Sequence, residues 1–300
     1  MKKLLSLALC LALLASLSIF TFAQAEVSPV VAEKAMAYFA TYDGAKYTIK
    51  VPDLFAKIDA GEDMLILDIR QPDAYAEGHL AGAVNVPYGM TIAEKLANIP
   101  DDVQLYIYCY TGQTSSQTTA LLNVAGKFAT NIQSGYNNGI SATEGYEAYI
   151  TTEAGPELTT DVYDVDPDVQ AAITAYYEDV VAKTGTAFAN NNFSPDSLNE
   201  VLEAELDDYF IYSVRQAVDF EAGHIQGAVN NPYCAGMEQN FAAQLPTDKK
   251  IIVYCYSGQT ASQTMAILRL LGYDAYNLSG GMGKEGGSGW LGKDYPVTTD

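Results

Sequence analysis

Histidine and cysteine are scarce in this sequence, and their scarcity excludes several kinds of site. Only two histidines and four cysteines occur among 300 residues, and they are not grouped as the several ligands of a zinc site would be, so we predict no metal. His79 and His224 both follow a glycine at matching places in the chain, so neither is a distinct partner for the thiol of a cysteine protease. We predict instead that both histidines are structural and hydrogen-bond a turn.

Basic residues are also few. Sixteen lysines and arginines stand against 37 aspartates and glutamates, which gives a formal net charge of −21. So acidic a chain is repelled by nucleic acid and by anionic membrane surfaces, and we expect neither as a partner. Its field also gives no help in binding a small anionic substrate. Solubility explains this charge better than an acidic recognition role does.

The first 25 residues have the pattern of a secretory signal peptide. The basic start Met1-Lys-Lys3 precedes an apolar run from Leu4 to Phe22 and the small-x-small site Ala23-Gln-Ala25. We predict cleavage after this site and export to the periplasm, the cell envelope or the medium, with no stable membrane insertion afterwards. An uncleaved membrane anchor is the alternative, because the apolar run is long enough to span a bilayer.

Export leaves three cysteines, Cys109, Cys234 and Cys255, because Cys10 lies in the signal peptide. An odd number of cysteines in an oxidising compartment leaves at least one thiol without an intramolecular partner. The sequence thus shows no disulfide framework, and we interpret these cysteines as chemical rather than structural.

Two of the cysteines lie in an internal repeat. The segment Cys109-Tyr-Thr-Gly-Gln-Thr-Ser-Ser-Gln-Thr-Thr119 returns as Cys255-Tyr-Ser-Gly-Gln-Thr-Ala-Ser-Gln-Thr-Met265, and upstream Arg70 matches Arg215 in the same way. A repeat near the size of a normal domain predicts two tandem domains rather than a solenoid.

The domain boundaries follow from the repeat and from composition. We place the first domain at residues 26–150, a linker rich in Thr, Asp, Gly and Pro at 151–168, and the second domain at 169–300. Each domain is predicted to begin with its own helix, at 27–42 and at 169–181. The polar stretch 184–195 is predicted to be an insertion that only the second repeat has.

Short apolar runs predict buried strands in both repeats. They cover residues 64–67, 83–86 and 103–108, and then 209–212, 228–230 and 250–254. Helical patterns follow the cysteines at 116–124 and 262–271, with Gly126 and Gly272 as C-caps. Alternating strands and helices predict an α/β fold, with a central parallel sheet in each domain and helices on both of its faces.

The repeated motifs carry a resemblance to a known family. They are Asp68-Ile-Arg70, Tyr75, Gly78-His79, Gly82-Ala83, Asn85, Pro87 and a strand that ends in Cys-x-x-Gly-x-Thr. As a set they resemble the rhodanese family of sulfurtransferases, once per repeat and over nearly the whole chain after the signal. The resemblance implies a compact α/β domain whose loop cysteine accepts a sulfane sulfur and becomes a persulfide. It implies a small sulfur donor, a thiol or cyanide acceptor, and no metal or organic cofactor.

The residue chemistry is consistent with this resemblance. A cysteine attacks as the thiolate, and the positive end of the following helix would stabilise the thiolate and later the persulfide anion. Gly112 and Gly258 supply backbone freedom for a cradle of N–H groups. Thr114 with Ser115, and Thr260 in the second copy, are predicted to cap the helix and to donate a hydroxyl toward the sulfur.

The candidate site residues therefore lie in the two loops. Cys109 and Cys255 are the candidate catalytic residues, and Cys234 is a candidate resolving thiol for Cys255, with an incidental half-buried cysteine as the alternative. The predicted substrate-binding residues flank the two catalytic cysteines: Tyr110, Thr111, Gly112, Gln113 and Thr114, then Tyr256, Ser257, Gly258, Gln259 and Thr260.

Departures from related motifs limit the chemistry. A cysteine phosphatase needs an arginine six positions after the cysteine, where this chain has Ser115 and Ala261. The rhodanese family often has arginine directly after the cysteine, where this chain has Tyr110 and Tyr256, so we predict poor use of the thiosulfate dianion. The alternative to an enzyme is an exported persulfide-carrying or redox-sensing binding module.

A second candidate for a structural role is the pair Asp68 and Arg70, which we interpret as holding the fold together. Ser213 takes the place of the aspartate in the second repeat, so Arg215 loses that potential partner.

Overall fold

The computed structural model of the protein describes residues 27–44 and 47–299. The predicted signal peptide and its cleavage site lie outside the described residues. The chain folds into two five-stranded parallel sheets with helices packed around them. This confirms the predicted α/β class and the presence of a parallel sheet in each repeat.

The elements follow each other in nearly the same order in both repeats. The first repeat contains α1 (Pro29–Ala40), β1 (Thr48–Ile49), α2 (Val51–Asp59), β2 (Met64–Asp68), α3 (Pro72–Glu77), β3 (His79–Leu80), β4 (Val84–Asn85), α4 (Met90–Lys95), β5 (Gln104–Tyr108), α5 (Gln113–Val124), β6 (Phe128–Ile132) and β7 (Ile150–Thr151). The second contains α6 (Pro167–Ala182), β8 (Asn192–Phe193), α7 (Pro195–Glu203), β9 (Tyr209–Ser213), α8 (Ala217–Ala222), β10 (Val229–Asn230), α9 (Phe241–Gln244), β11 (Lys250–Tyr254), α10 (Gln259–Leu270) and β12 (Ala275–Leu278).

Strand order places both cysteines at the middle of a sheet. The first sheet runs β4-β2-β5-β6-β1 and the second β10-β9-β11-β12-β8, so β5 and β11 are the central strands. Both are buried along nearly their whole length, as expected for parallel strands that are covered on two faces. Each cysteine follows the carboxyl end of its central strand, the edge at which open parallel sheets bind ligands.

Each predicted entry helix is present, as α1 and α6, and both pack across the boundary between the repeats. The ring of Phe39 in α1 meets Tyr233 and Phe241 edge to face, with centroids 5.7 and 5.6 Å apart. In α6, the ring of Tyr177 meets Tyr88 of the first repeat at 5.5 Å. Helices α5 and α10 also pack against each other, and one buried cluster joins the two repeats.

The stretch 184–195 is not an insertion, so that prediction was wrong. It contains β8 and the start of α7, the counterparts of β1 and α2. The edge strand and its entry helix are joined by residues 183–191 in the second repeat and by 41–47 in the first. Edge strands of two residues are too short to produce a periodic pattern, which is why the match was missed.

Candidate active site

Each cysteine lies between its central strand and the helix that follows. Cys109 and Cys255 are both 2% exposed. The backbone N–H of Gly112 donates to the Cys109 Sγ at 3.2 Å, and that of Gly258 donates to the Cys255 Sγ at the same distance. The predicted placement of the sulfur at the amino end of a helix, against a backbone N–H, is thus present twice. An anionic sulfur is stabilised at such a position.

A second glycine in each repeat lets the chain pass close behind the cysteine loop. Gly135 has φ +62°, and a Cβ there would lie 2.6 Å from the Cys109 carbonyl oxygen. Gly281 has φ +59°, and its Cβ would lie 2.5 Å from the Cys255 carbonyl oxygen. No side chain fits at either distance. These glycines therefore set how closely the loop is held.

The hydroxyl that faces the sulfur belongs to Ser115. Its Oγ lies 3.3 Å from the Cys109 Sγ. The helices α5 and α10 begin directly after Gly112 and Gly258, and no side chain of the described residues caps them. The expectation that Thr114 and Thr260 act as caps was therefore wrong, because both already lie inside the first helical turn. The second loop has no equivalent hydroxyl, since Ala261 takes the place of Ser115.

The two loop glutamines reach into the opposite repeat. Gln113 Oε1 accepts hydrogen bonds from the Asn277 side chain at 2.9 Å and from the Gly280 N–H at 3.1 Å. Gln259 Oε1 accepts from the Asn131 side chain at 3.0 Å and from the backbone N–H of Ser134 at 2.8 Å. Each carbonyl oxygen thus joins its cysteine loop to the last strand of the sheet in the opposite repeat and to the residues that follow that strand. We predicted that these side chains bind substrate, and the contacts do not test that role.

Asn131 and Asn277 were missed in the sequence. They occupy matching positions in β6 and β12 and are completely buried. An asparagine in a short strand of each repeat, at the spacing that relates the two cysteines, was the available signal.

The tyrosines that follow the cysteines form an exposed wall beside the sulfur. Tyr110 is 40% and Tyr256 45% exposed. Their hydroxyls accept backbone hydrogen bonds from Gln71 and Gln216, at 3.3 and 3.1 Å. The Tyr256 hydroxyl also donates to the Asp219 carboxylate, and burial together with this bond raises the pKa of Tyr256.

Thr111 and Ser257 hold the loop glutamines. The Thr111 hydroxyl accepts from the amide of Gln113 at 3.4 Å, and the Ser257 hydroxyl accepts from that of Gln259 at 3.0 Å. Each loop therefore fixes its own glutamine at the nitrogen, while the opposite repeat fixes the oxygen.

A cleft of about 700 Å³ opens onto Cys255. Residues of the second loop line one side, and Lys50, Asp53 and Lys57 of the first repeat line the other. Lys57 is paired with Glu62 at 2.7 Å. The loops themselves carry no positive side chain, as the sequence shows, but the first repeat brings two lysines to this cleft. The lysines were missed because they belong to the repeat that does not contain this cysteine.

A buried tyrosine–glutamine pair contacts the helix that follows each cysteine loop. Tyr88 donates to Gln117 and Tyr233 donates to Gln263. Burial raises the pKa of both tyrosines well above the ordinary value, so they stay neutral near neutral pH. The two glutamine amides donate in turn to backbone carbonyls of the other repeat.

Cys234 is exposed, and none of the three cysteines in the described part of the chain forms a disulfide. The resolving role of Cys234 stays a prediction. Among residues 27–44 and 47–299, no cluster of three His, Cys, Asp or Glu side chains could hold a metal ion. Over the same ranges, no helix combines the length and the hydropathy needed to cross a membrane.

The residues expected to be structural do have structural contacts. Asp68 and Arg70 are buried and form an ion pair at 2.6 Å, which confirms that the two side chains are paired. The Nδ1 atom of His79 lies 2.8 Å from the carbonyl oxygen of Tyr75, and that of His224 lies 3.0 Å from the carbonyl oxygen of Phe220. Each imidazole ring also stacks on the aromatic ring of the same partner residue. Neither histidine is therefore placed at a cysteine.

Known proteins share the sequence pattern of this chain. The rhodanese-like domain family matches residues 51–151 and again residues 194–284. The chain is similar to the thiosulfate sulfurtransferase GlpE of Pseudomonas entomophila, with 30% identity over 94 residues, covering 31% of this chain and 77% of that protein. It is also similar to the putative sulfur carrier protein YrkF of Bacillus subtilis, with 31% identity over 90 residues, covering 29% of this chain. The chain matches 48% of the length of YrkF.

Solved structures similar to this chain include some that align with most of its length. SseA from Escherichia coli, described with the rhodanese fold of 3-mercaptopyruvate sulfotransferases, is 18% identical. The alignment covers 79% of this chain and 98% of SseA, with a TM-score of 0.33.

Proposed function

The chain belongs to the rhodanese-like domain family, and from this premise we propose that it is a sulfurtransferase that carries sulfane sulfur as a persulfide on Cys109 and Cys255. The observation that carries the proposal is the backbone N–H placed 3.2 Å from each buried sulfur, at the amino end of a helix. This arrangement favours an anionic sulfur, both as the attacking thiolate and as the persulfide.

The proposed reaction has two displacement steps. The cysteine thiolate attacks the outer sulfur of the donor, so that a new S–S bond forms while the donor's S–S bond breaks. The bonding electron pair leaves with the rest of the donor, as sulfite from thiosulfate or as a thiolate from an organic persulfide. An acceptor thiolate or cyanide then attacks the outer sulfur of the enzyme persulfide, and the cysteine thiolate leaves.

The surroundings of the sulfur favour persulfide or polysulfide donors over thiosulfate. Tyr110 and Tyr256 present uncharged aromatic faces beside the cysteines. At the Cys255 cleft, Lys50 and Lys57 are accompanied by Asp53 and Glu62, so that the opposite charges largely cancel. In a protein of charge −21, a dianion therefore gains little from the electrostatic field.

The experiment treats the full chain and its Cys109→Ser, Cys255→Ser and doubly substituted variants with thiosulfate, mercaptopyruvate or polysulfide. Peptide mass analysis then locates the added sulfur, and repeated additions of thiol or cyanide measure turnover. We expect each loop cysteine that remains to gain one sulfur, about 32 Da, with the highest occupancy after treatment with polysulfide. Sulfur on the exposed Cys234 is not counted, and the double variant should show no catalytic transfer. Transfer by the double variant would refute the mechanism, and efficient thiosulfate use at low KM would refute the donor preference.

The same assay separates the enzyme from the alternative function. Release of sulfur only once per cysteine would identify a persulfide-carrying or redox-sensing module. The signal-peptide pattern in residues 1–25 further supports export, and recovery of the protein with the cytoplasmic fraction would count against it.

A further inference from the structure

The Ser115 hydroxyl faces two acceptors but has one proton. Its Oγ lies 2.6 Å from Asn131 Oδ1 and 3.3 Å from the Cys109 Sγ. All three side chains are buried, with Ser115 and Asn131 completely inaccessible, so water cannot supply a second donor there. The hydroxyl therefore has two possible acceptors, the amide oxygen and the sulfur, and it can donate its hydrogen bond to only one of them at a time.

Contacts with the second repeat determine which acceptor receives the hydrogen bond of Ser115 while the sulfur is neutral. The backbone N–H of Ser134 can only donate, and it donates to Gln259 Oε1 at 2.8 Å. The Gln259 oxygen is thus fixed in place, and Asn131 must turn its amide nitrogen toward it, at 3.0 Å. Asn131 then necessarily turns its oxygen toward Ser115. This oxygen, 2.6 Å away, accepts the hydrogen bond of the hydroxyl while the sulfur is neutral.

We propose that Ser115 is a hydrogen-bond donor shared between Cys109 and Asn131, and that Gln259 of the second repeat is a positioning residue that keeps the Ser115 hydroxyl directed at Asn131 until the sulfur becomes anionic. When the thiolate forms, the hydroxyl turns to the sulfur, and the buried Asn131 oxygen loses its donor. That loss opposes formation of the thiolate, because an unpaired buried acceptor is costly. Gln259 thereby restrains the nucleophile of the other repeat.

The second cysteine lacks this device, although the rest of the arrangement is repeated. Gln113 fixes the amide of Asn277 as Gln259 fixes that of Asn131. Ala261 has no hydroxyl, and Asn277 Oδ1 has no hydrogen-bond partner among the described residues. The Gln113–Asn277 contact therefore ends without reaching Cys255. This difference makes Gln113 a matched control for the interface contact alone.

The test is site-resolved alkylation of the full chain with iodoacetamide from neutral to alkaline pH, read by peptide mass analysis. The inference rests on the proposed role of Cys109 as a nucleophile, but alkylation needs no sulfur donor, so the two can fail separately. At a pH where the thiolate is the minor form, Ser115→Ala should slow alkylation of Cys109 by about tenfold, the usual effect of one hydrogen bond to a charged group. Asn131→Leu should accelerate alkylation of Cys109 by about fivefold and Gln259→Met by about threefold, because both free the Ser115 hydroxyl to donate its hydrogen bond to the sulfur.

The shape of the pH profile distinguishes this effect from local unfolding. A Ser115 hydroxyl that is free to donate to the sulfur moves the pH profile of the alkylation rate to lower pH and leaves the rate at its alkaline plateau unchanged. A loosened structure raises the plateau rate. Combining Asn131→Leu with Ser115→Ala should abolish the acceleration. Gln113→Met should change the Cys255 profile by less than about twofold, since no hydroxyl is released there.

Several results would overturn the proposal. If Asn131→Leu and Gln259→Met slow Cys109 as Ser115→Ala does, then Asn131 merely aims the hydroxyl at the sulfur. If they raise only the alkaline plateau, the effect is exposure of the cysteine. An equal effect of Gln113→Met on Cys255 would mean that the contact between the repeats acts without Ser115. Should Asn131→Leu fail to fold, Gln259→Met tests the same step from the neighbouring repeat.

Discussion

Replacement of Phe39 by alanine tests whether the two repeats unfold as one unit. Phe39 belongs to the first repeat and is completely buried, yet two of its ring contacts are with Tyr233 and Phe241 of the second. Removing a buried phenylalanine ring costs about 3–5 kcal/mol. With a urea dependence of about 3 kcal/mol per molar, the unfolding midpoint should fall by roughly 1 M or more. If the repeats are coupled, both should lose this stability.

The single tryptophan makes the coupling measurable. Trp290 lies in the core of the second repeat and is completely buried, so its fluorescence follows that repeat, while far-ultraviolet circular dichroism follows the whole chain. We expect both signals of Phe39→Ala to move together to lower urea. Glu33→Ala on the exposed side of the same helix should stay within about 0.5 kcal/mol of the wild type. A tryptophan transition that keeps its wild-type midpoint, while circular dichroism shows an earlier step, would refute the coupling.

Two further predictions concern a buried charge and the cysteine loop. Burial, together with repulsion from Arg269, lowers the pKa of Lys183 from 10.5 to about 8; the unfolded state therefore binds more protons between these values, and stability should rise with pH across them. In the wild type this rise in the free energy of unfolding is up to about 1.4 kcal/mol per pH unit, and Lys183→Met should lack it. An identical pH dependence of urea unfolding in the wild type and the variant would contradict the prediction. Gly135→Ala should lower the free energy of unfolding by about 1–3 kcal/mol. It should also slow alkylation of Cys109 more than that of Cys255, because the new Cβ meets the Cys109 carbonyl oxygen; an equal slowing at both cysteines, relative to the wild type, would contradict it.

Local features of the chain were sufficient to predict the fold class and the position of the sulfur. The apolar runs that end in Cys109 and Cys255 are long enough to indicate strands, and the glycine three residues later indicates the turn into a helix. The predicted strand at 250–254 matches β11, and the one at 103–108 begins one residue before β5. The amino-acid sequence alone therefore suffices to place both cysteines at the carboxyl edge of a parallel sheet.

Contacts between the repeats could not be predicted, because they join residues far apart in the chain. Gln259 meets Ser134 across 125 residues, and nothing in either local sequence indicates the other as a partner. The packing of the entry helices against both repeats has the same origin, since their apolar faces fit either repeat and only tertiary packing determines where they lie. Thr114 was misplaced for a different reason. Gly112 adopts a left-handed conformation at the N-cap, so the helix starts earlier than its hydrophobic pattern.

Duplication has preserved the backbone of the two sites more closely than their polar side chains. In the first repeat, Arg70 bonds to both Asp68 and the Gly78 carbonyl oxygen. In the second, Arg215 keeps the matching bond to the Gly223 carbonyl oxygen at 2.7 Å although Ser213 supplies no carboxylate. The carbonyl contact alone is thus compatible with the same loop path, and the ion pair is not required for it.

The same reasoning applies to the sulfur. Cys109 and Cys255 receive the same N–H contact at the same distance, so this contact does not make them differ in reactivity. Among the side chains that the copies do not share, Ser115 opposite Ala261 is the difference that contacts the sulfur itself. Exchanging Ser115 and Ala261 between the loops should therefore exchange much of the difference in alkylation rate, whereas the N–H contacts would stay in place.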